Sequence, residues 1–461
     1  MTEHAVLNRS QPTKVNPPNM RKTAIAVGIG NFMEWFDWGL YGFFATIIGS
    51  QFFPGSTPAV QLLSVLAIFA AGFVFRPLGG FILGPIGDKL GRRLALSIAV
   101  ILMGLGTTLI GLLPSYAQIG IWAPILLLAL RCLQGFSTGG EATGSNAFIV
   151  ESAPADKRGR FGSINSASSA IALVTASLLA LIMTTNLSPE DLETWGWRLP
   201  FLLSAPLAIA GLYLRLKLDD TPVFQEIKSE NRIDRSSVWS KIRKDIRPIL
   251  LTAAIGAVQG VGYYYLGTYA VNLLTVSVGL ERPVALTMST ISLTIYAGFC
   301  VASGWLVDKV GRRKINIAGT IGFIVLLVPA FLLMSTGNFA FIIVGLLLLA
   351  ACQSLVSVST VVLMVELFPA TSRATGSSTG FNLTTVLIAG PGPYIAAWLA
   401  VSTGSAVAPA AYLVVIALLA LPVLLKWLPE TRGRDLSTSE VVANRSSQKM
   451  QSSSTRQGGL N

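Results

Sequence analysis

Apolar and polar positions alternate on a coarse scale along this chain. Apolar runs of about 20 residues, the length that a bilayer core requires, recur about twelve times. They cover 24–49, 61–85, 94–113, 121–146, 162–184, 198–217, 248–272, 284–307, 315–335, 338–363, 377–400 and 407–427. Polar stretches divide them into blocks. Residues 1–23 form an N-terminal tail, 24–217 a first six-helix bundle, 218–247 a mixed-charge linker and 248–428 a second bundle. Residues 429–461 are rich in Ser, Gln and Arg, hold no sustained heptad, and are expected to form a disordered tail. The pattern predicts an all-α membrane protein of about twelve spans.

Two loops repeat at nearly one offset. Gly87-Asp88-Lys89-Leu90-Gly91-Arg92-Arg93 recurs 220 residues later as Asp308-Lys309-Val310-Gly311-Arg312-Arg313. Glu151-Ser152-Ala153-Pro154, ending at Arg158, matches Glu366-Leu367-Phe368-Pro369, ending at Arg373, at an offset of 215. The chain therefore reads as one membrane unit used twice, the pattern of a secondary transporter. Asp88 and Asp308 head the first pair of loops. They are expected to cap a helix or bridge to a neighbouring helix end, and with Arg92, Arg93 and Arg312 to hold an inner gate closed. Gly87, Gly91 and Gly311 would supply the turns.

Composition agrees. Charged residues make up 12% of the chain and hydrophobic ones 52%, against roughly 25% charged in a soluble domain. The net charge of +12 raises the question of nucleic acid, but its placement answers it. All Lys and Arg except Arg76, Arg131, Arg198 and Arg282 lie in the tails, in the linker, in the loops after even-numbered spans, or, as Arg215, Lys217 and Lys426, at the inner ends of spans 6 and 12. That is the positive-inside pattern, which predicts that both termini are cytoplasmic. No cleavable signal peptide is visible, since the first 23 residues are polar. Cys132, Cys300 and Cys352 lie in apolar runs, with no spacing for metal or disulfide. His4, in the tail, is the only histidine, so any coupled proton must ride on carboxylates. No GxxxxGK[ST] motif points to ATP. No nucleophile–base pair points to an enzyme. The expectation is a monomer without cofactor, driven by a proton gradient.

The informative residues are charges inside spans. Glu34 and Asp37 lie in the first span, where each costs roughly 2.5–3.5 kcal/mol. They must face a cavity, find a partner or carry a proton. Asn31, Glu34, Trp38 and Tyr41 recur at helical spacing and form a polar stripe. In span 4, Arg131, Gln134, Gly135 and Thr138 share a face. The Arg131 fork suits a substrate carboxylate, and equally suits Glu34 or Asp37. Glu141 lies about 15 Å further along, either as a second proton site or as a structural partner. Gly135, Gly139, Gly140 and Gly144 allow close helix approach. Arg76 either pairs with a carboxylate at the inner gate or snorkels toward the cytoplasm, and its position favours snorkelling.

Span 7 carries Gln259 and Tyr263-Tyr264-Tyr265. Three consecutive tyrosines cannot all face lipid, so some should line a cavity. Span 11 carries Asn382 and a Gly390-Pro391-Gly392-Pro393 interruption, which marks either a site or a packed kink. Trp122, Trp195, Trp197 and Trp398 at outer span ends, and Trp239 and Trp427 at inner ones, read as belt or packing residues.

The stretches GNFMEWFDWGLYG, FRPLGG, GDKLGRR, LRCLQGFSTGGE, WGWRLPF, DKVGRRK, ELFPATSRATG and PETRG resemble the metabolite:proton symporter family of the major facilitator superfamily. That family includes permeases for proline/betaine, α-ketoglutarate, citrate and shikimate. The resemblance implies two bundles around a cavity that opens alternately to each side, with uptake driven by protons. It carries Glu34, Asp37, Arg131, Glu141, Asp88, Arg92 and Arg93 onto the family's motifs. The expected function is proton-coupled uptake of a small carboxylate-bearing metabolite. Glu34, Asp37 and Glu141 would serve the proton. Arg131, Gln134, Asn31, Tyr41, Trp38, Gln259, Tyr263 and Asn382 would serve the solute. A drug exporter of the same fold and a passive channel are the alternatives.

Overall fold

The computed structural model of the chain describes residues 20–90, 92–139, 142–216, 242–369 and 373–436. Its helices form twelve rods in two bundles. In the first bundle α1 runs from Met20–Phe43 into Ala45–Phe52, and α2 joins Pro58–Val74 to Arg76–Leu90. Then come α3 (Arg92–Leu112), α4 (Trp122–Thr138 with Ala142–Ser152), α5 (Arg158–Asn186) and α6 (Arg198–Leu202 with Ser204–Leu216). The second bundle holds α7 (Ile246–Ser277), α8 (Arg282–Val310), α9 (Arg312–Ser335) and α10 (Phe339–Glu366). It ends with α11 (Arg373–Thr384, Thr385–Ala389 and Gly392–Thr403) and α12 (Ala410–Trp427). Among the described residues nine rods have the length and hydropathy of a membrane span. Of the other three, α1 carries Glu34 and Asp37, the described first part of α4 ends at Thr138, and α6 is interrupted at Leu203.

Several helices run past their apolar stretches, and side-chain caps fix some of their starts. Asn338 accepts hydrogen bonds from the Ala340 and Phe341 amides and starts α10. Thr57 accepts from Val60 and starts α2, with Pro58 in the first turn. Hydropathy sees only the apolar part, so it ended span 10 at 363, whereas α10 continues through Glu366.

Close helix contact positions the charged side chains. A Cβ on Gly135 of α4 would overlap the Gly72 carbonyl of α2, and one on Gly139 would overlap the Arg76 carbonyl. Only glycine permits that approach. It sets Arg131, one turn before Gly135, and Arg76, one turn after Gly72, beside α1. Between bundles, α5 packs along α8, and α2 packs along α11. The six-helix repeat carries one of these pairs onto the other.

Several expectations need correction. Gly311 supplies a turn, with φ of 110° between α8 and α9, but Gly87 lies inside α2 and Gly91 lies outside the described residues. Among the tryptophans read as belt or packing residues, Trp197 is fully buried against Phe52 and Phe201, the packing alternative. Trp239 and most of the linker lie outside the described residues. The segment after α12 is not all free tail: up to Leu436 it is hydrogen-bonded onto the bundles, as described below.

Candidate substrate and coupling site

Within the first bundle α1 presents two carboxylates, and each has its own arginine. Arg131 Nη1 donates to Asp37 Oδ2 at 2.8 Å. The other oxygen, Oδ1, accepts from Thr107 Oγ1 of α3 at 2.7 Å and from Gln134 Nε2 of α4 at 2.7 Å. Gln134 Nε2 also reaches Thr107 Oγ1 at 2.8 Å. Asp37 is thus held by three donors from two helices. The Arg131 guanidinium lies over the Tyr41 ring at 3.7 Å and near the Trp38 ring at 5.2 Å. Its Nε and Nη2 have no hydrogen-bond acceptor, and neither has the indole N–H of Trp38. Arg131 and Trp38 are 0% and 1% exposed, so these donors are shut away from water. A buried donor without an acceptor costs about 1–3 kcal/mol, which marks the place as built for a further acceptor.

One turn earlier, Arg76 Nη2 donates to Glu34 Oε1 at 2.6 Å. Arg76 is 1% exposed, so it does not snorkel. The glycine contact between α2 and α4 brings it to Glu34 instead.

Aromatic rings line the same side of α1. Trp38 stacks on Phe73 at 4.4 Å and meets Phe69 edge-on at 5.0 Å. Trp35 reaches across to α7, with its centroid 4.2 Å from Tyr263 and 5.9 Å from Tyr264. Tyr264 closes the ring of contacts against Phe69 at 5.6 Å and Phe73 at 5.4 Å. All of Tyr263, Tyr264 and Tyr265 are buried. The wider π-helical turn Tyr265–Tyr269 begins directly after Tyr264. It re-phases the helix, which lets three consecutive tyrosines turn inward.

A second set of charges lies at the end of the bundles that carries the repeated loops. Asp308 accepts from the backbone amides of Gly159 at 2.7 Å and Arg160 at 3.0 Å. It thereby caps the start of α5 from the other bundle. Arg158 pairs with Glu366 at 3.1 Å, and Arg373 pairs with Glu151 at 2.7 Å. These are the two repeats Glu151…Arg158 and Glu366…Arg373, each arginine taking the other repeat's glutamate. Arg312 also holds Glu366 through Nε at 3.1 Å and Nη2 at 3.3 Å. The segment after α12 closes over this network. Glu430 accepts from the Arg312 amide at 3.0 Å, and Arg373 donates to the Leu436 carbonyl at 2.8 Å. The Thr431 hydroxyl donates to Glu366.

The profile of the Major Facilitator Superfamily matches residues 27–381 and residues 252–449. The chain belongs to the major facilitator superfamily. The proline/betaine transporter of Salmonella typhimurium is 38% identical over 94% of this chain and 88% of its own length. The glycine betaine/proline/ectoine/pipecolic acid transporter OusA of Dickeya dadantii is 37% identical, again over 94% and 88%. The structure of the proton:xylose symporter XylE bound to 6-bromo-6-deoxy-D-glucose shares the fold. It has a TM-score of 0.71 at 18% identity, over 91% of this chain and 98% of that one. A partially occluded inward-open XylE from E. coli aligns at a TM-score of 0.70, with 19% identity over 90% and 99%. The protein is a multi-pass membrane transporter of this superfamily, not an enzyme.

In this major facilitator chain the structure gathers some expected site residues and disperses others. Asp37, Arg131, Gln134, Tyr41 and Trp38 form one cluster, and Glu34 lies a turn away. Asn31 is drawn off: its amide donates to the Asn165 carbonyl at 3.0 Å and to Ser168 and Ser169 at 2.7 Å each, which ties α1 to α5. Asn382 donates to the Gly139 carbonyl at 3.3 Å and to Ser378 at 3.1 Å, and so bridges α11 to α4. Gln259 lies on α7, where its carbonyl accepts from Gln353 of α10 at 3.0 Å. Tyr263 faces Trp35 rather than Arg131. Arg76 belongs with Glu34 and not with the loop network. Glu141 lies outside the described residues, as do the side chains of Asp88, Arg92 and Arg93. Sequence reasoning missed Thr107, gave Trp35 no site role, and named Tyr264 only as one of three tyrosines of which some should line a cavity. For the last two a signal existed, since α1 and α7 are the first helices of the two repeats and both carry aromatic clusters. Thr107, one of two adjacent threonines in a largely apolar run, gave none.

Proposed function

We propose that the protein imports a small carboxylate-bearing solute together with protons, by alternating access. The solute would be a proline/betaine-type osmolyte or an organic acid. The membrane is the bacterial inner membrane, with both termini in the cytoplasm, and the charge distribution supports that orientation. The loop network then acts as the inner gate. The names of the relatives support an osmolyte.

The observation that carries the reading is the half-satisfied cluster at Arg131. One guanidinium nitrogen serves Asp37, while two others and the Trp38 indole wait for an acceptor. A solute carboxylate supplies acceptors of the right shape, because a planar fork matches a carboxylate bidentately. A solute carboxylate on the free nitrogens shares the single positive charge of Arg131 with Asp37. Two buried carboxylates beside one guanidinium favour entry of a proton with the solute. Solute and proton therefore enter together, and neither alone satisfies the cluster. Alternation between bundles then carries both across.

The test is uptake of radiolabelled glycine betaine into proteoliposomes. Under an imposed inward proton gradient the solute should accumulate above its outside concentration. Accumulation that ignores the gradient would refute the coupling.

A further inference from the structure

The Arg131 cluster accounts for an anion, and Phe73 carries the Arg76 guanidinium at 5.5 Å, but Trp35, Tyr263 and Tyr264 of the aromatic seam between the bundles have no ligand assigned. Trp35 of α1 and Tyr263 and Tyr264 of α7 meet there, with Phe69 and Phe73 behind Tyr264. Ring faces are electronegative, and they attract a cation whose centre lies within about 6 Å, tryptophan most strongly. A quaternary ammonium donates no hydrogen bond, so a site for it needs π faces and shape rather than acceptors. The one carboxylate beside Trp35 in the chain, Glu34, is already paired with Arg76 at 2.6 Å. Attraction at the seam must then come chiefly from the rings. Trp35 and Trp38 are three residues apart on α1, an axial rise of about 4.5 Å. The seam and the anion cluster are thus spaced for the two ends of one compact molecule.

Building on the proposed carboxylate site, we infer that Trp35, Tyr263 and Tyr264 form a subsite for the ammonium group of a zwitterion. The solute's carboxylate rests at Arg131 and Trp38, and its quaternary or secondary ammonium rests between Trp35 and the two tyrosines. In the structure these rings touch each other, so the cation enters by parting Trp35 from Tyr263. The subsite is divided between the bundles, half on α1 and half on α7. A solute held by both halves therefore bridges the bundles in place of the direct ring contact. A dicarboxylate would bring its second anion against the electronegative faces and is selected against.

The experiment compares glycine betaine with 3,3-dimethylbutyrate, its carbon isostere, which has the same carboxylate and shape but no positive charge. Binding of each is measured on the purified full-length protein in nanodiscs, with thermal unfolding of every variant. Glycine betaine should bind about tenfold more tightly than the isostere, and Trp35→Leu should remove about that factor for glycine betaine alone. Trp35→Phe should keep most of it. If Trp35→Leu unfolds early, Tyr263→Leu is read by the same ratio. Equal affinity of the wild-type protein for both ligands overturns the cation subsite while leaving the carboxylate site standing. Equal loss of both ligands in a folded Trp35→Leu, or no loss of either, also overturns it. Persistence of both ligands in Arg131→Ala would instead refute the carboxylate reading, and the ratio would still judge the seam.

Discussion

The charges inside the first bundle and the charges at the loop end use the same residue types in opposite ways. Glu34–Arg76 and Asp37–Arg131 join helices of one bundle, α1 to α2 and α1 to α4. Arg158–Glu366, Arg373–Glu151 and the Asp308 cap each cross from one bundle to the other. Rocking of two rigid bundles must break the second set and leaves the first intact. An internal pair changes only when a solute or proton enters it. A crossing pair changes only when the conformation does. The internal set is also one-sided, while the Glu–Arg crossing pairs obey the repeat. Coupling needs one seat, whereas a gate closed by two similar halves follows their symmetry.

The largest effect belongs to the internal set. Arg131→Ala leaves Asp37 buried without its counter-ion, at about 3–5 kcal/mol, and removes the solute's fork. Uptake should fall to background and thermal unfolding should come earlier. Arg131→Lys should recover only part, because a point charge cannot hold Asp37 and a carboxylate as a fork does. Wild-type uptake in Arg131→Ala would erase the distinction between the two sets.

Charge exchange separates them next. Glu151→Arg alone should cut uptake about tenfold by placing two cations together, roughly 1.4 kcal/mol. Adding Arg373→Glu should restore part of it, because opposite signs again face each other across the bundles while the Val365 and Leu436 carbonyls lose their donor. Exchanging Asp37 and Arg131 should restore nothing, since Thr107 and Gln134 are set to donate to a carboxylate at Asp37. Recovery in both exchanges, or in neither, would end the contrast.

What could be read in the sequence, and what could not, follows the same division. The twelve apolar runs were plain because a span must satisfy its own backbone in lipid. The repeats showed Glu151…Arg158 and Glu366…Arg373 as copies of one another, but not that each arginine takes the other copy's glutamate. The internal pairing was open, because two carboxylates and two arginines fit several ways. Backbone contact at Gly72, Gly135 and Gly139 decided it, and spacing within one helix holds no information on that. The Trp35–Tyr263 seam was hidden for the same reason. The placement of Arg76 failed because snorkelling is argued from depth alone, while Glu34 stood within reach from another helix.

A smaller effect sharpens the gate. Asp308→Asn keeps the shape but weakens two charge-assisted hydrogen bonds to the start of α5, by about 1–2 kcal/mol together. Spin labels on the loop ends of α5 and α8 should show a larger share of the separated distance, with solute affinity little changed. An unaltered distance distribution would remove Asp308 from the gate.

The smallest effect is a control far from both sets. Hydrogen bonds from the Ser188 hydroxyl and the Trp195 indole hold Asp191 below its usual carboxylate range. A lowered value means that the hook is present above the ordinary carboxylate pKa and is lost as pH falls through the lowered one. Trp195 emission should change only in that acid range, and Asp191→Asn should abolish the change without altering uptake. Altered uptake would show that the region takes part in transport.

Accumulation of radiolabelled glycine betaine in proteoliposomes, with wild-type protein and with Asp37→Asn, tests the account most directly. The wild type should concentrate the solute under an inward proton gradient. Asp37→Asn should lose that accumulation while still exchanging labelled for unlabelled solute without a gradient. Undiminished gradient-driven accumulation by Asp37→Asn would contradict the claim that the internal pairs of the first bundle seat the coupling.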